Sequence, residues 1–200
     1  MDVAMAPVLE GSRIRLEPMT MGHLEGLSAV AFDDRLWRYT LDRLRTRDDV
    51  ERYMRTAIRL GETGIAMPWV TVLKAGNRVI GSTRFMDLDR VHKTTEIGWT
   101  WLAPEFQGSG LNAEVKLVQL TYAFEELELN RVALKTHHEN LRSQAAMRKI
   151  GAVEEGTFRN YMVMPDGSLR HSVWFSIIRE EWPRVRSLLE TRVRATQPSA

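Results

Sequence analysis

The stretch that decides the fold is Trp99-Thr-Trp-Leu-Ala-Pro-Glu-Phe-Gln-Gly-Ser-Gly110-Leu111, where a strand pattern stops at a proline and a glycine-rich loop follows. An apolar helix pattern begins at Leu111 and is predicted to continue to Glu128. Glycines let the backbone curl so that successive N–H groups point outward, and a helix N-terminus adds about half a positive charge. The stretch therefore predicts a phosphate or pyrophosphate site between a strand and a helix.

The loop does not match the better known phosphate motifs. It lacks the Gly-Lys-Ser/Thr of the Walker pattern, and Ala113 occupies the third glycine position of the dinucleotide fingerprint. A Gly-x-Gly pair also occurs in ordinary tight turns between a strand and a helix. The loop by itself leaves a binding site and a simple turn as alternatives.

Upstream of the loop the hydrophobic period changes from helical to alternating. Residues 75–77 predict the turn of an antiparallel hairpin. Ile97, Trp99 and Trp101 share one face of the strand before the loop, provided that this strand is regular. Glu96 then lies on the opposite face, and a bulge would reverse that parity. The predicted elements are a strand over 13–17, helices over 21–31 and 46–60, and strands over 69–73, 79–87 and 96–102.

Downstream of the loop, strands and helices follow one another without a linker or a repeat. The predicted elements are a helix over 111–128, a strand over 131–136, a helix over 140–150, strands over 157–164 and 169–178, and a last helix over 180–194. The pattern predicts an α/β (α+β) fold, with a mixed, mostly antiparallel central sheet of about seven strands flanked by helices. Two hundred residues, 44% of them hydrophobic, suffice for one domain over residues 1–200.

Composition argues against several classes of protein. A formal net charge of +2 lacks the one-sided positive field of a duplex-binding protein, so we expect no nucleic-acid partner. No apolar run approaches the ~18 residues of a membrane helix, and no basic segment leads into a long apolar one near the start. We therefore expect a cytoplasmic protein with no membrane contact. With no cysteine and no zinc-like histidine spacing, we also expect no metal.

A second motif lies in the predicted helix that follows residue 139. Asn140, Ser143, Met147 and Ile150 are separated by helical offsets, so they form one line in which a polar pair leads an apolar stripe. Asn140 is also a good helix N-cap, and that role is compatible with binding. Spacing alone does not decide between the two.

These pieces, in this order, resemble the GNAT superfamily of N-acetyltransferases, and within it the RimJ/RimL-like branch that includes ribosomal-protein N-terminal acetyltransferases. The resemblance covers about residues 9–182. Each matching segment is loose alone, but together and in order they are specific. The segments are Ile80-Gly-Ser-Thr, Thr95-Glu-Ile-Gly-Trp-Thr-Trp, Pro104-Glu-Phe-Gln-Gly-Ser-Gly110, Tyr122-Ala-Phe-Glu-Glu-Leu, Asn130-Arg131, 140–151, Glu155-Gly156, Arg159 and Glu181-Trp182.

The resemblance implies acetyl-CoA as cosubstrate and an amine as acceptor. It places the CoA pyrophosphate on the backbone of the loop and the pantetheine arm along the strand edge before it. Asn140 is implied to hydrogen-bond that arm, and Ser143 to protonate the leaving thiolate. The implied cofactor-binding residues are Trp99, Trp101, Leu102, Gln107, Gly108, Ser109, Gly110, Leu111, Asn112, Asn140 and Ser143.

Two residues depart from the family pattern. Glu105 stands where many members have Gln or Arg, which removes a polar contact but leaves the backbone donors of the loop. Met147 stands where other members have a tyrosine acid, and a thioether has no proton to donate. Any acid role therefore falls to Ser143 or to water.

The general base is harder to identify. Glu96 is the first candidate, as base or as the residue that holds a water. Other ionisable residues lie near predicted strand ends: Asp87, Asp89, His92, His137, His138 and Glu155. Without a strong base an α-amine is the easier acceptor, because its pKa near 8 leaves about one-tenth neutral at pH 7. A lysine amine is neutral in only about one molecule in 2,500.

We expect aromatic residues to shape the acceptor pocket, although such residues also serve as core. They are Trp37, Tyr39 and Trp69, with Tyr161 and Trp174 as further candidates. The leading hypothesis is acetylation of a protein or peptide N-terminal α-amine. The alternatives are acetylation of a small amine, such as an amino-acid analogue, polyamine or antibiotic, and a non-catalytic acyl-CoA-binding module. A homodimer is compatible with the apolar residues of 169–178 and of the last helix.

Overall fold

A computed structural model describes residues 6–196, which form one eight-stranded sheet with five α-helices. The strands are β1 (Leu9–Glu10), β2 (Ile14–Pro18), β3 (Met67–Leu73), β4 (Arg78–Asp89), β5 (Thr94–Leu102), β6 (Arg131–His137), β7 (Val153–Val163) and β8 (Leu169–Ile178). The helices are α1 (Leu24–Ala31), α2 (Arg47–Glu62), α3 (Leu111–Thr121), α4 (Leu141–Lys149) and α5 (Trp182–Ala195). None of these helices is long and apolar enough to cross a bilayer.

The strands lie in the order β1-β2-β3-β4-β5-β6-β8-β7. Every neighbouring pair is antiparallel except β5 and β6, which run parallel. The predicted mixed, mostly antiparallel sheet is therefore confirmed. One more strand is present than the seven expected, because the two residues of β1 add an edge strand beside β2.

Each face of the sheet is covered by its own helices. α3 and α5 bury Val115, Leu120 and Leu189 against one face, and all three side chains are fully buried. α1 and α2 cover part of the other face, where Leu27 and Val50 are fully buried. Burying a side chain of this size contributes about 1.5–3 kcal/mol, so these two apolar layers are the main source of stability.

The helix boundaries follow from local chemistry. Thr46 caps α2: its hydroxyl accepts from the Asp49 N–H at 3.2 Å, and the Asp49 carboxylate accepts from the Thr46 N–H at 3.0 Å. α3 ends earlier than predicted, at Thr121, because a π-helical turn over Tyr122–Glu126 follows it. In that turn the Leu127 N–H reaches back five residues to the Tyr122 carbonyl at 2.9 Å.

The expected face of Trp99 and Trp101 is wrong. Strand β5 carries a bulge opposite β4, with Ser82 paired to Trp101 and Arg84 paired to Gly98, and Trp99 has a left-handed φ of +49°. The extra residue shifts the alternation of side chains by one position. Trp99 and Trp101 therefore pack toward α1 and α2, away from Ile97, which lies in the core under α3.

A buried lysine lies under the bulge, on the α3 face of the sheet. Lys116 is 4% exposed, and its Nζ donates to Thr100 Oγ1 at 2.9 Å and to Gln119 Oε1 at 3.1 Å. No carboxylate within residues 6–196 forms an ion pair with it. Burial without a counter-charge lowers the pKa of Lys116 to about 7.

We predict that Lys116→Met changes the pH dependence of stability. Between pH 7 and pH 10 the unfolded chain binds a proton at Lys116 that the folded chain does not, so the free energy of unfolding rises with pH in this range. The destabilisation of the folded state by the buried charge of Lys116 is complete below pH 7 and is relieved above pH 10. Thermal melts from pH 6 to pH 10 should show a steeper rise in Tm for the native chain than for Lys116→Met.

The exposed Lys149 offers a control for this measurement. Lys149→Met removes the same charge from an exposed position, so it separates the effect of net charge from the effect of burial. Parallel curves for the native chain and for Lys116→Met would show that Lys116 titrates normally in the folded protein.

Candidate active site

The central feature of the site is a gap between the two parallel strands. β5 pairs with β6 from Thr94 to Ile97, and the last pair joins Ile97 to Leu134. β5 nevertheless continues to Leu102 and β6 to His137. Beyond Ile97, β5 is paired on its β4 side alone, so the backbone groups on its other side are available to a ligand.

The glycine-rich loop lies at the end of this open strand edge. Gly108 and Gly110 have φ values of +84° and +83°, which favour glycine, and Gly110 is the N-cap of α3. The N–H groups of Gly108, Ser109 and Gly110 donate no hydrogen bond within residues 6–196. Free amides beside the N-terminus of α3 form a favourable position for an anion.

Gln107 connects the loop to β5 and to α4. Its side-chain amide donates to the Leu102 carbonyl at 2.9 Å, and its oxygen accepts from Arg142 Nη1 at 2.6 Å. Arg142 therefore adds a positive charge beside the loop, a residue that the sequence analysis missed. Glu105, the departure noted above, is ion-paired with Arg78.

A clamp of polar contacts fixes the loop from the other side. The Glu114 carboxylate, 1% exposed, accepts from the Arg13 N–H at 2.7 Å and from Arg13 Nε at 2.9 Å. The same guanidinium donates to the Thr196 carbonyl at 2.9 Å and to the Ser109 carbonyl at 3.5 Å. These contacts join β2, α3 and the end of α5 around the loop.

The first turn of α4 presents two polar groups at the gap. Asn140 Oδ1 accepts from the Ser143 N–H at 3.1 Å, so Asn140 is the N-cap of α4. Its amide nitrogen and the Ser143 hydroxyl make no hydrogen bond within the described chain. Each group therefore still has a hydrogen-bond donor for a ligand. Asn140 can cap the helix and bind a ligand at the same time. The Arg142 contact with Gln107 shows that this turn adjoins the loop.

Glu96 lies on the α1 and α2 face, next to the point where the strands separate. It is 5% exposed and forms an ion pair with Lys135 of β6, whose Nζ is 4.8 Å from the ring centre of Trp174 and 5.7 Å from that of Tyr161. Burial raises the pKa of Glu96, and the Lys135 charge opposes that rise. The carboxylate proposed as the general base is therefore engaged in an ion pair with Lys135.

Three of the other base candidates are engaged elsewhere, whereas the buried Nδ1 of His138 has no hydrogen-bond partner within the described residues. Asp89 accepts from the backbone N–H groups of the β4–β5 turn, and Glu155 forms an ion pair with Arg131. His137 Nδ1 accepts from the Glu139 N–H at 3.1 Å, which assigns the proton of the neutral ring to Nε2. Burial also lowers the pKa of His137, so the ring is neutral at pH 7 and offers no free lone pair.

The three aromatic residues expected at the acceptor pocket have different positions. Trp69 is fully buried in the core under α3, where its ring centre is 5.1 Å from that of Phe85. Its indole N–H donates to the Pro7 carbonyl at 2.7 Å. Trp37 is 3% exposed and donates its indole N–H to a backbone carbonyl of α1. Both side chains are buried in the described structure, and their role at the acceptor pocket stays a prediction.

Tyr39 is the remaining aromatic candidate. Its ring lies 5.4 Å from that of His137 at the end of β6, and its carbonyl accepts from Arg170 Nη1 of β8 at 3.3 Å. The segment between α1 and α2 therefore meets β6 and β8 beside the gap. Tyr161 and Trp174, which border Lys135, lie on the same side.

This combination of a split parallel strand pair, a loop of free amides and a capped second helix defines a class of acyl-transfer domain. Residues 13–153 match the model of the acetyltransferase (GNAT) domain. The chain therefore belongs to the GNAT acetyltransferase family, and the predicted membership in its RimJ/RimL-like branch is confirmed. At the level of the family, the predicted class, an acetyl-CoA-dependent N-acetyltransferase, is confirmed.

Three relatives show the extent of the similarity. YdaF of Bacillus subtilis, provisionally named a ribosomal N-acetyltransferase, is 39% identical over 102 residues, or 51% of this chain and 55% of YdaF. A GCN5-related N-acetyltransferase from Brucella melitensis is 25% identical with a TM-score of 0.87, covering 94% of this chain and 86% of that one. RimJ of Mycobacterium smegmatis, solved with CoA-disulfide, shares the fold at 20% identity and a TM-score of 0.80, covering 92% of this chain and 94% of that chain.

We predict that Gly108→Ala weakens CoA binding about tenfold or more. A Cβ at Gly108 meets nothing within 4 Å, so the substitution acts through its positive φ, which costs an alanine about 1–2 kcal/mol and re-aims the loop amides. Gly76 is a matched control, because it has a φ of +77° and the same free space in the β3–β4 turn. Calorimetric titration with CoA should separate the two variants, and equal dissociation constants would argue against this loop as the anion site.

Proposed function

We propose that the protein transfers an acetyl group from acetyl-CoA to the α-amine of a protein or peptide N-terminus. The observation that carries the proposal is the open edge of β5 that leads into the free amides at Gly108–Gly110. An extended chain that ends in phosphates fits such a path. Pantetheine would pair with Trp99–Leu102, and the pyrophosphate would lie on the backbone of Gln107–Asn112, as the family resemblance implies.

The α-amine is supported by what surrounds Glu96. Its carboxylate is ion-paired with Lys135, so the first base candidate is already engaged with a cation. Deprotonating an α-amine at pH 7 costs about 1 kcal/mol, whereas a lysine side chain costs about 4.6 kcal/mol. An acceptor that arrives partly neutral suits this site. The provisional name of YdaF, a ribosomal N-acetyltransferase, supports a protein acceptor over a small molecule.

The reaction is a direct attack. The neutral amine forms a C–N bond to the thioester carbonyl carbon, and the tetrahedral oxyanion accepts from a backbone N–H near Trp101. The C–S bond then breaks, the Ser143 hydroxyl supplies a proton to the thiolate and regains one from water, and the ammonium proton passes to Glu96 or to water. Since a thiol has a pKa of about 8.5, a hydroxyl is a sufficient donor.

A small amine is the second candidate acceptor, and one contact favours it. The hydrogen bond from Arg170 to the Tyr39 carbonyl draws the α1–α2 segment against β8. This contact leaves less room beside the gap, where the acceptor would enter. A small molecule fits such a space better than a flexible peptide does.

We predict that Ser143→Ala lowers turnover about tenfold or more while the dissociation constant of CoA changes less than about twofold. The hydroxyl acts on the leaving sulfur, and the backbone N–H of residue 143 that Asn140 caps remains. Ser187→Ala, at an exposed position of α5, is the control. Unchanged turnover in Ser143→Ala would remove Ser143 from the mechanism.

The acceptor is tested by thiol release from acetyl-CoA. The panel contains short peptides with free or blocked N-termini, free lysine side chains and small polyamines. We expect release with free α-amines alone. Release with small amines alone would favour the second candidate. Measurable CoA binding without release on any amine would contradict the proposed reaction and indicate a non-catalytic acyl-CoA-binding module.

A further inference from the structure

Arg84 of β4 is a buried cation whose hydrogen-bonding capacity is unused. The residue is 2% exposed, and its Cζ is 4.4 Å from the ring centre of Tyr53 and 5.0 Å from that of Trp99. Its Nε and Nη2 have no hydrogen-bond partner in the part of the chain that the structure describes. Burying a guanidinium in this state is costly, and two aromatic contacts offset part of that cost.

The carboxylates near Arg84 are committed to other groups. Asp42 accepts from the indole N–H of Trp99 at 2.9 Å and forms no ion pair with Arg84 within 4 Å, although the Arg84 charge opposes the rise that burial causes in the pKa of Asp42. Glu96, on the same face of the sheet, is paired with Lys135. Arg84 therefore has the Asp42 carboxylate in its vicinity but no direct ion pair in the described residues.

The two unused nitrogens have a specific geometry. Nε and Nη2 lie on one edge of the guanidinium plane, and their N–H bonds run nearly parallel. That edge matches the two oxygens of a carboxylate, which it binds in a bidentate manner. The unused capacity of Arg84 thus corresponds to one carboxylate group.

Arg84 also lies beside the reacting position. It pairs with Gly98, the first residue of β5 beyond the last pair with β6. Its side chain contacts Trp99, the bulge residue on the α1 and α2 face. Nε and Nη2 are enclosed in the described structure, so a carboxylate of an acceptor that approaches the gap from this face reaches them through a movement of the Tyr53 or Trp99 ring.

We propose that Arg84 binds a carboxylate of the acceptor, so that the preferred substrates are α-amines with a carboxylate a few bonds away. This inference rests on the proposed acetyl transfer to an α-amine. The carboxylate has two sources: the side chain of an acidic first residue in a peptide, or the free α-carboxylate of an amino acid. Both present the same two oxygens to the Nε and Nη2 edge.

The test compares acceptors that differ by one group. Peptides with a first residue of Asp or Glu are compared with Asn or Gln peptides of the same length and with amidated C-termini. Free amino acids are compared with their α-amides. Thiol release should give kcat/KM about tenfold or more higher for the carboxylate member of at least one pair, because charge-assisted bidentate contacts are lost in the amide.

Substitutions of Arg84 should abolish this preference, which is measured as the ratio of kcat/KM for the carboxylate acceptor to that for its amide. Arg84→Lys keeps a buried cation but lacks the two-nitrogen edge, and Arg84→Gln also lacks the charge, so the ratio should fall toward one in both. Arg170→Gln is a matched control, because Arg170 is 7% exposed and already bonded to Ser172 and to the Tyr39 carbonyl. This control should lower the rates for both members of a pair and preserve their ratio.

Each outcome is decisive. A preference in the peptide pairs identifies an acidic first residue, and a preference in the amino-acid pairs identifies the α-carboxylate. A native ratio near one, with good release from α-amines, overturns the role of Arg84 and leaves the proposed function intact. A preference that survives in Arg84→Lys and Arg84→Gln also overturns it. Absence of release from every α-amine contradicts the proposed function itself.

Discussion

The one-residue bulge at Trp99 is the constraint on which the rest of the site depends. It lies two residues after the last pair between β5 and β6, so the strand changes its alternation at the place where the parallel ladder ends. In a regular strand Trp99 and Trp101 would point toward α3. The loop residues that follow would then also have the opposite side-chain orientation. The bulge directs both indoles to α1 and α2, and it places Thr100 over Lys116 on the opposite face.

Much of the fold could be predicted because its signals are local. The turn at residues 75–77, the Thr46 cap and the change from alternating to helical spacing each depend on a few neighbouring residues. The structure differs from the prediction where tertiary contacts determine an element or its boundary. Two-residue β1 has no pattern of its own and exists through its pairing with β2, and α3 is shortened by a π-turn that its composition does not announce. The side-chain parity of β5 depends on its neighbour β4, which a single strand pattern does not contain.

The candidate site divides in the same way. The amides at Gly108–Gly110 and the Asn140 cap follow from backbone geometry that short motifs encode. Trp37 and Trp69 are both buried, because a large aromatic ring fills a core as readily as it lines a pocket, and their place at the acceptor pocket stays a prediction. Lys135 was missed because its ion pair with Glu96 spans two strands whose register had to be known.

The clamp of Arg13 and Glu114 has a thermodynamic consequence for ligand binding. One guanidinium contacts Glu114, the Ser109 carbonyl and the Thr196 carbonyl, so the loop is held by three separate segments of the chain. A loop that is ordered in advance loses little conformational entropy when a ligand arrives. Much of the interaction energy between the loop amides and an anion is then expressed as affinity, and association needs no slow rearrangement of the backbone.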